Sequence, residues 1–378
     1  MKRLFAGRLA LWRRRASPVL LVVALSLASC APSPSSGGER PEKQIAAQIE
    51  RLERVLNAAP ASEQTARELQ RLRQSRKALE AGYLYASLYD LQPVMVAVAV
   101  RQYTESRREL DKAGFDAFDR EWQAVGPQLS QQEGKLTDAG VNALPAAVRA
   151  LVQSAQEQSR SLYQAARLYG RETTTPYGLY YIGEARGFLD FAVWSAGLPF
   201  PRSPLRQVSR SPEKEIAGLE GELLQSYQRP DAAKQQGQFN EVSAQLKFAG
   251  DLNRKGKPLA ALQTYLDASL MFALMDAPTV GASDFAKLQS EGRELKARLD
   301  KGQQDQSVGQ MYWEIAESNL AAPAGDRQAE REARRAAVIL EKVLPRYFQY
   351  AERGAETSST SAVSSAKVKV TLVRWPYT

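Results

Sequence analysis

The sequence lacks histidine entirely, and it contains one cysteine, Cys30, in 378 residues. Histidine is the most common general base and a frequent zinc ligand, so its absence excludes serine–histidine and cysteine–histidine nucleophiles and HExxH zinc sites. A single cysteine can form no internal disulfide and cannot supply the several thiolates of an iron–sulfur cluster. Only carboxylate chemistry, serine–lysine chemistry or no catalysis remains, and we expect no catalytic residue, metal or other cofactor.

Long apolar runs are also missing, and the N-terminal one, residues 19–28, covers about ten residues where a bilayer span needs about 20. Six basic residues and no acidic residue precede Cys30. A basic start, a short apolar run and small residues at its end are typical of a secretory signal peptide. We therefore predict that residues 1–29 are a signal peptide, which is cleaved and takes no part in the fold.

Residues 27–30, Leu-Ala-Ser-Cys, resemble the lipobox of bacterial lipoproteins. The resemblance implies cleavage before Cys30, diacylglycerol on its sulfur and often a further acyl chain, such as palmitate, on its amine. Two or more chains anchor a protein stably in a bilayer, whereas one does not. Ala31 differs from the aspartate that resembles an inner-membrane retention signal, so we expect the outer membrane, facing the periplasm. The alternative is an ordinary secretory signal followed by a chance cysteine.

Positive charge is in small excess once the signal peptide is set aside. The whole chain carries a formal charge of +9, but six of its 51 basic residues lie before Cys30, which leaves about +3. A nearly balanced chain has no electrostatic footprint for nucleic acid. We expect no nucleic-acid partner.

The remaining chain divides by composition. Residues 30–41 are a Pro/Ser/Gly-rich tether, 42–200 a helical domain, 211–353 a second helical domain after a proline-rich elbow, and 354–378 a Ser/Thr-rich linker and terminal strand. In the first domain, one helix ends near Ala59, a second is expected from Ser62 to about Leu91, and a third is expected to begin at Pro93. The fold class is all-α with a short C-terminal strand.

Residues 246–268 resemble a tetratricopeptide (TPR) unit. Phe248 and Leu252 stand where the first helix packs, Gly256 lies in the turn, and Ala261, Tyr265 and Ala268 follow the small, aromatic, small pattern of the second helix. Residues 332–347 resemble the second helix of another unit, and 179–185 resemble a first helix. The resemblance implies stacked helical hairpins, an α-solenoid; an irregular helical bundle is the alternative.

Two stretches are candidate partner-binding surfaces. The first is an aromatic helix whose rings fall on or near one side, although such stripes are more often core. Its members are Tyr177, Tyr180, Tyr181, Phe188, Phe191 and Trp194. The second is the terminal strand, with Val368, Val370 and Leu372 on one face, followed by Trp375. This strand could add to a partner's sheet, fold against its own domain or stay disordered.

Together these features predict a lipid-anchored protein of the bacterial cell envelope that is not an enzyme. Its helical repeats would bind another envelope protein, and its lipidated Cys30 would contact the bilayer. The alternative is a module that binds or hydrolyses cell-wall polymer, sugar or peptidoglycan, through carboxylates.

Overall fold

The computed structural model describes residues 40–172, 175–201, 210–229, 232–280, 284–302, 304–320 and 327–353. Within these ranges the chain forms thirteen α-helices packed as a bundle and no β-strand, which confirms the predicted all-α class. The helices are α1 Pro41–Ala58, α2 Glu63–Glu80, α3 Leu84–Ser106, α4 Gly114–Glu133, α5 Asp138–Asn142, α6 Ala146–Glu172, α7 Thr175–Ala196, α8 Glu213–Tyr227, α9 Gln236–Arg254, α10 Pro258–Asp276, α11 Phe285–Asp300, α12 Ser307–Leu320 and α13 Arg327–Val338. After α13 the chain continues through a π-helical turn, Ile339–Val343, into a helix that reaches residue 353.

Two sets of predictions fall outside these ranges. The signal peptide and Cys30 precede the first described residue, and the terminal strand with Val368, Val370, Leu372 and Trp375 follows the last. They stay predictions. Of the helices in the described ranges, none combines the length and apolarity needed to cross a bilayer.

The end of the first helix and the beginning of the second agree with the prediction, since α1 ends at Ala58 and α2 begins directly after Ser62. Ile45, Ile49 and Leu56 lie on the buried side of α1 and are at most 1% exposed. Ser62 caps α2, because its Oγ accepts a hydrogen bond from the backbone N–H of Thr65 at 3.0 Å. Such a cap satisfies one of the backbone donors left free at a helix start.

The predicted end of the second helix was wrong. Helix α2 stops at Glu80, because Gly82 adopts a φ of +82°, a left-handed conformation that favours glycine and interrupts the helix. Helix α3 then begins at Leu84, and Pro93 lies in its interior. The spacing of apolar residues is helical on both sides of Gly82. A prediction that uses this spacing alone therefore treats α2 and the start of α3 as one helix.

Helix α7 makes the two most extensive helix contacts among the described residues, one with α6 and one with α3. The approach of α7 to α3 depends on two glycines one helical turn apart. A Cβ on Gly183 would lie 2.8 Å from the Cα of Val100, and one on Gly187 would lie 2.7 Å from the Cα of Val96. Since these neighbours are backbone atoms, no side chain can be added without moving the helices apart.

The two portions on either side of the predicted elbow share buried apolar surface. Helix α10 packs on α6, and α12 packs on α3. One continuous apolar cluster includes Ile45 of α1 and Tyr350 near the end of the described chain. The elbow itself lies mostly in residues that the structure does not describe.

Helices α9 and α10 form a hairpin joined by a three-residue turn over the stretch that resembles a TPR unit. Gly256 in that turn has a φ of +71°, the left-handed conformation the turn requires. Ala249 of α9 and Ala261 and Ala268 of α10 are fully buried. Small side chains at these places let the helices approach closely.

Candidate functional site

Helix α7 carries the six predicted aromatic residues in two separate groups. Phe191 is fully buried, and Phe188 and Trp194 are half-buried and pack against the main core. Tyr177, Tyr180 and Tyr181 lie at the other end of α7, roughly 15 Å away at 1.5 Å per residue. The predicted stripe is therefore not one continuous surface.

The tyrosines at the start of α7 meet the end of α6. The ring of Tyr169 stacks on Tyr181, with centroids 4.7 Å apart and planes 20° apart, and Tyr180 meets Tyr181 edge-on at 6.0 Å. Tyr180 is 39% exposed, and Leu168, which precedes Tyr169, is 53% exposed. We call this end of the α6–α7 hairpin the tyrosine tip: Leu168, Tyr169, Tyr177, Tyr180 and Tyr181.

The hydroxyl group of Tyr181 stays protonated at neutral pH. Burial, helped by nearby Tyr169 and Glu184, raises the pKa of Tyr181 to about 12, and its hydroxyl is hydrogen-bonded with that of Tyr169. The tip presents aromatic rings with phenolic hydroxyls, a surface that can pack against apolar groups and exchange hydrogen bonds at its edges.

The buried ring of Phe118 packs between the two helices at the base of the tyrosine tip. Phe118 of α4 is fully buried, and its ring packs against Gly170 of α6 and Gly178 of α7. A Cβ on either glycine would collide with this ring. Nearby, Arg167 is fixed by an ion pair with Asp119 at 2.7 Å. The tip therefore projects from a closely packed base.

A second group of residues forms a polar network between α3, α10 and α12. Asp267 accepts hydrogen bonds from the hydroxyls of Tyr89 and Tyr312, both 2.8 Å long, and from the Gln263 amide. The guanidinium of Arg335 lies 5.9 Å from the centre of the Tyr89 ring. Burial raises the pKa of Asp267 to about 6 despite these hydrogen bonds.

Glu314 of α12 is a second buried carboxylate whose pKa is raised. It is 4% exposed and accepts the backbone N–H groups of Tyr85 and Ala86, at 2.8 and 3.0 Å, at the start of α3. Burial raises the pKa of Glu314 to about 7. Both carboxylates could therefore exchange a proton near neutral pH, but their partners are the helices packed around them.

A third buried carboxylate links the two portions of the chain. Glu157 of α6 is 1% exposed and pairs with Lys255 and Lys257 in the α9–α10 turn, at 2.5 and 2.6 Å, and with Arg160 at 2.5 Å. Burial alone would raise the pKa of Glu157, but the hydrogen bonds from both lysines and the Arg160 charge lower it to about 2. It therefore carries a negative charge at neutral pH.

A surface depression of about 220 Å³ lies between α4, α6 and α7. Glu133 and Arg160, which form an ion pair at 2.6 Å, are among the residues that line it, and so is Tyr163. Neither Asp267 nor Glu314 belongs to this lining. The depression and the two protonatable carboxylates are thus separate features.

Several of these residues were missed by sequence reasoning. Leu168 and Tyr169 belong to α6, yet they join tyrosines of α7 because the chain reverses between the two helices. One signal in the sequence could have indicated this pairing: Tyr169 precedes residues 173–175 by a few positions, and Tyr177, Tyr180 and Tyr181 follow them by a few positions. Asp267, Glu314 and Glu157 gave no signal, since their partners lie far away in sequence.

Comparison of the chain with protein-family models, with curated proteins and with solved structures finds no match in any of the three. In the described part of the chain, no three acidic or cysteine side chains converge as metal ligands. A functional assignment therefore depends on the geometry described above.

Proposed function

We propose that this chain is a lipid-anchored envelope protein that binds another protein through the tyrosine tip. In this proposal Cys30 carries the acyl chains that hold the protein at the outer membrane, and residues 31–39 precede the helical body on its periplasmic side. The body is a scaffold and performs no catalysis. The observation that carries the proposal is the stacked, partly exposed pair Tyr169 and Tyr181 beside exposed Tyr180 and Leu168 at the end of the α6–α7 hairpin.

Physical properties of tyrosine favour this role. Its side chain has two rotatable angles, so it contributes a large contact area at small entropic cost. Tyrosine is enriched among the residues that dominate binding energy at protein interfaces. At the tip, Tyr180 and Leu168 are exposed, while the stacked pair below them is held in place by Phe118 packing against Gly170. A partner would therefore meet a preorganised surface.

We also propose that the α9–α10 hairpin is a TPR-like unit. The support is a hairpin with alanines Ala249 and Ala261 buried at the helix crossing and Gly256 in its turn. Stacked hairpins of this kind form extended surfaces that hold peptides or helices. The step from such a unit to protein binding is an analogy with the fold family.

The anchor is tested by metabolic labelling with a fatty-acid analogue. We expect the parent protein to be labelled and to fractionate with membranes. A Cys30→Ser variant should lose all label, because its hydroxyl cannot form the thioether. Mass spectrometry of the parent's N-terminus provides the control: a mature chain that begins at a residue other than Cys30, or a labelled Cys30→Ser variant, contradicts the anchor.

The tyrosine tip is tested by photo-crosslinking in intact cells. A photoreactive phenylalanine derivative at position 180 of the anchored chain should capture one envelope protein reproducibly, whereas the same probe at exposed Gln64 on α2 should not. With that partner purified, Tyr180→Ser combined with Leu168→Ser should weaken binding at least tenfold, since each buried anchor contributes about 1 kcal/mol or more. Equilibrium titration measures the loss.

Conservative variants supply the control for this titration. Tyr180→Phe and Leu168→Met retain the apolar area, so we expect binding within about twofold of the parent. Equal weakening by the serine and the conservative pairs would rule out contact through the rings. Capture of peptidoglycan fragments and no protein at position 180 would replace the proposal with the cell-wall alternative.

A further inference from the structure

Helix α8 exposes two large apolar side chains on the side that faces away from the bundle. Ile216, Leu219 and Leu223 are buried against the neighbouring helices, but Leu224 is 66% exposed and Tyr227 is 50% exposed. The edge of the Tyr227 ring meets Phe239 at 5.4 Å, which fixes the ring in position. Large side chains this exposed, close together on one helix, are typical of a contact surface.

Two glycines in the middle of α8 have no packing reason among the described residues. A Cβ on Gly218 or on Gly221 would meet no atom within 4 Å, in contrast to Gly183 and Gly187, where it would meet a helix backbone. A glycine inside a helix costs about 1 kcal/mol relative to alanine. With exposed Ala217 beside them, these glycines leave a flat strip that a second backbone can approach closely.

The exposed polar residues of α8 give its outer side a negative charge. Glu213, Glu220 and Glu222 are exposed, and Lys214 is the only basic residue of the helix. Glu222 is paired with Arg346. A cationic, amphipathic segment is therefore the complementary occupant.

The described chain ends beside this helix. The guanidinium of Arg353 lies 3.6 Å from the carboxylate of Glu215, in the first turn of α8. From Glu215 to Leu224 and Tyr227 is about 14–18 Å along the helix. The predicted Ser/Thr-rich linker, residues 354–366, has 13 residues, and the average end-to-end distance of a Gly/Ser-type coil of that length is about 20 Å. The segment that follows can therefore reach the exposed apolar residues of its own chain.

That segment, residues 367–375, has the required chemistry. Val368, Val370 and Leu372 alternate with Lys367, Lys369 and Thr371, and Arg374 follows. In an extended conformation this alternation places apolar groups on one side and cations on the other. Its affinity for the α8 surface would combine apolar burial with attraction to the glutamates.

We propose that residues 367–375 bind the outer side of α8 in the same chain. Val368, Val370 and Leu372 cover Leu224, Tyr227 and the glycine strip, and the positive charge of the segment lies in the field of the nearby carboxylates of Glu213 and Glu220. A single bound segment would then account both for the glycines without packing neighbours, Gly218 and Gly221, and for the exposed side chains of Leu224 and Tyr227. It depends neither on the lipid anchor nor on the tyrosine tip.

A disulfide trap tests the contact. In a chain carrying Cys30→Ser, so that no other thiol is present, Gly221→Cys is combined with Val370→Cys and mildly oxidised at micromolar concentration. We expect an intrachain disulfide in most molecules, seen by non-reducing gel and peptide mass spectrometry. The control pair, Arg171→Cys with Val370→Cys, places the first thiol at the far end of α6 and should form at least tenfold less bond.

Hydrogen exchange on the chain with its natural glycines provides a second measurement. Backbone amides of α8 should exchange at least threefold faster in a chain that ends at Gly354, and also in a full chain carrying Val370→Asp and Leu372→Asp. Amides of α1 should not change. Disulfide-linked dimers in place of the intrachain bond would assign the surface to a second copy. Bond formation equal to the control, or unchanged α8 exchange, would overturn the proposal.

Discussion

A Gly187→Val variant is expected to lose about 3 kcal/mol of unfolding free energy, the upper part of the usual range for overpacking a core. The cause is the approach of α7 to α3, where a Cβ at position 187 would lie 2.7 Å from the Cα of Val96 and 3.0 Å from the Cβ of Ala99. A backbone atom cannot rotate away as a side chain can. The two helices must therefore separate, and that separation opens the apolar contacts on both sides of the glycine.

Urea denaturation followed by circular dichroism measures this loss, and the chain offers a matched control. Gly250 lies in the middle of α9, and a Cβ there would meet only a side-chain atom of Arg254 at 3.7 Å, an ordinary contact. Gly250→Val should therefore change the unfolding free energy by less than about 0.5 kcal/mol. Equal losses in the two variants would show that helix propensity, and not the α3–α7 contact, is responsible.

A double variant sharpens the same test. Gly183→Val should also destabilise the protein, because its Cβ would lie 2.8 Å from the Cα of Val100. Once one substitution has pushed the helices apart, the second meets less resistance. We therefore expect Gly183→Val combined with Gly187→Val to lose less than the sum of the single losses, as for neighbouring sites that share one backbone shift.

The protein is expected to be more stable at pH 5 than at pH 8. Burial raises the pKa values of Asp267 and Glu314 to about 6 and about 7 in the folded chain, above the ordinary values of 3.8 and 4.5. The folded state therefore binds protons that the unfolded state does not as the pH falls below these values. Stability rises on acidification, by about 2 kcal/mol for Glu314 and about 1 kcal/mol for Asp267 between pH 8 and pH 5. The absence of histidine leaves this pH window free of imidazole titration.

Further acidification should reverse the trend. The folded pKa of Glu157 is about 2, below its ordinary value of 4.5, so the folded state keeps this carboxylate charged between its two lysines. The unfolded state binds the proton first as the pH falls from 4.5 towards 2, and the contribution of Glu157 is lost across that range. We therefore expect maximal stability near pH 4, where the protons still gained by folded Asp267 and Glu314 are balanced by the proton that unfolded Glu157 gains.

Amide variants assign the pH dependence to these residues. Glu314→Gln retains an oxygen that can accept the N–H groups of Tyr85 and Ala86 but cannot ionise. It should remove about 2 kcal/mol of the gain between pH 8 and pH 5. Asp267→Asn should remove the smaller part. Glu157→Gln is the contrasting control, since it should lower stability at pH 7 and leave that gain unchanged. A pH profile that Glu314→Gln does not alter would contradict the assignment.

Helix positions and helix sides could be predicted because their signals are local. Ile45 and Ile49 recur at the spacing of one helical turn, and both are buried in α1. The helix start at Ser62 was predicted for the same reason, and the structure shows Ser62 as its cap. The error at Leu91 has the same origin, since a single left-handed residue, Gly82, ended α2 inside an apolar pattern that remained helical on both sides.

The candidate site was predictable only in part. The tyrosines of α7 stand out in composition, but which of them are exposed depends on what packs against them. Phe191 is fully buried because it faces the main core, and Tyr180 is exposed because it lies at the end of the hairpin. Tyr169 joins Tyr181 across the reversal between α6 and α7, a pairing that no local pattern encodes.

The sequence by itself determined the helical class and the absence of histidine chemistry, and it predicts a lipid site at Cys30, since each follows from composition or from residues adjacent in the chain. Tertiary structure alone decided that Gly187 contacts the backbone of α3 and that Asp267 is enclosed by Tyr89 and Tyr312. These contacts join residues that lie on different helices and 45 to 178 positions apart in the chain. Burial and pKa shifts depend on such contacts, because desolvation is a property of the packed surroundings and not of the residue.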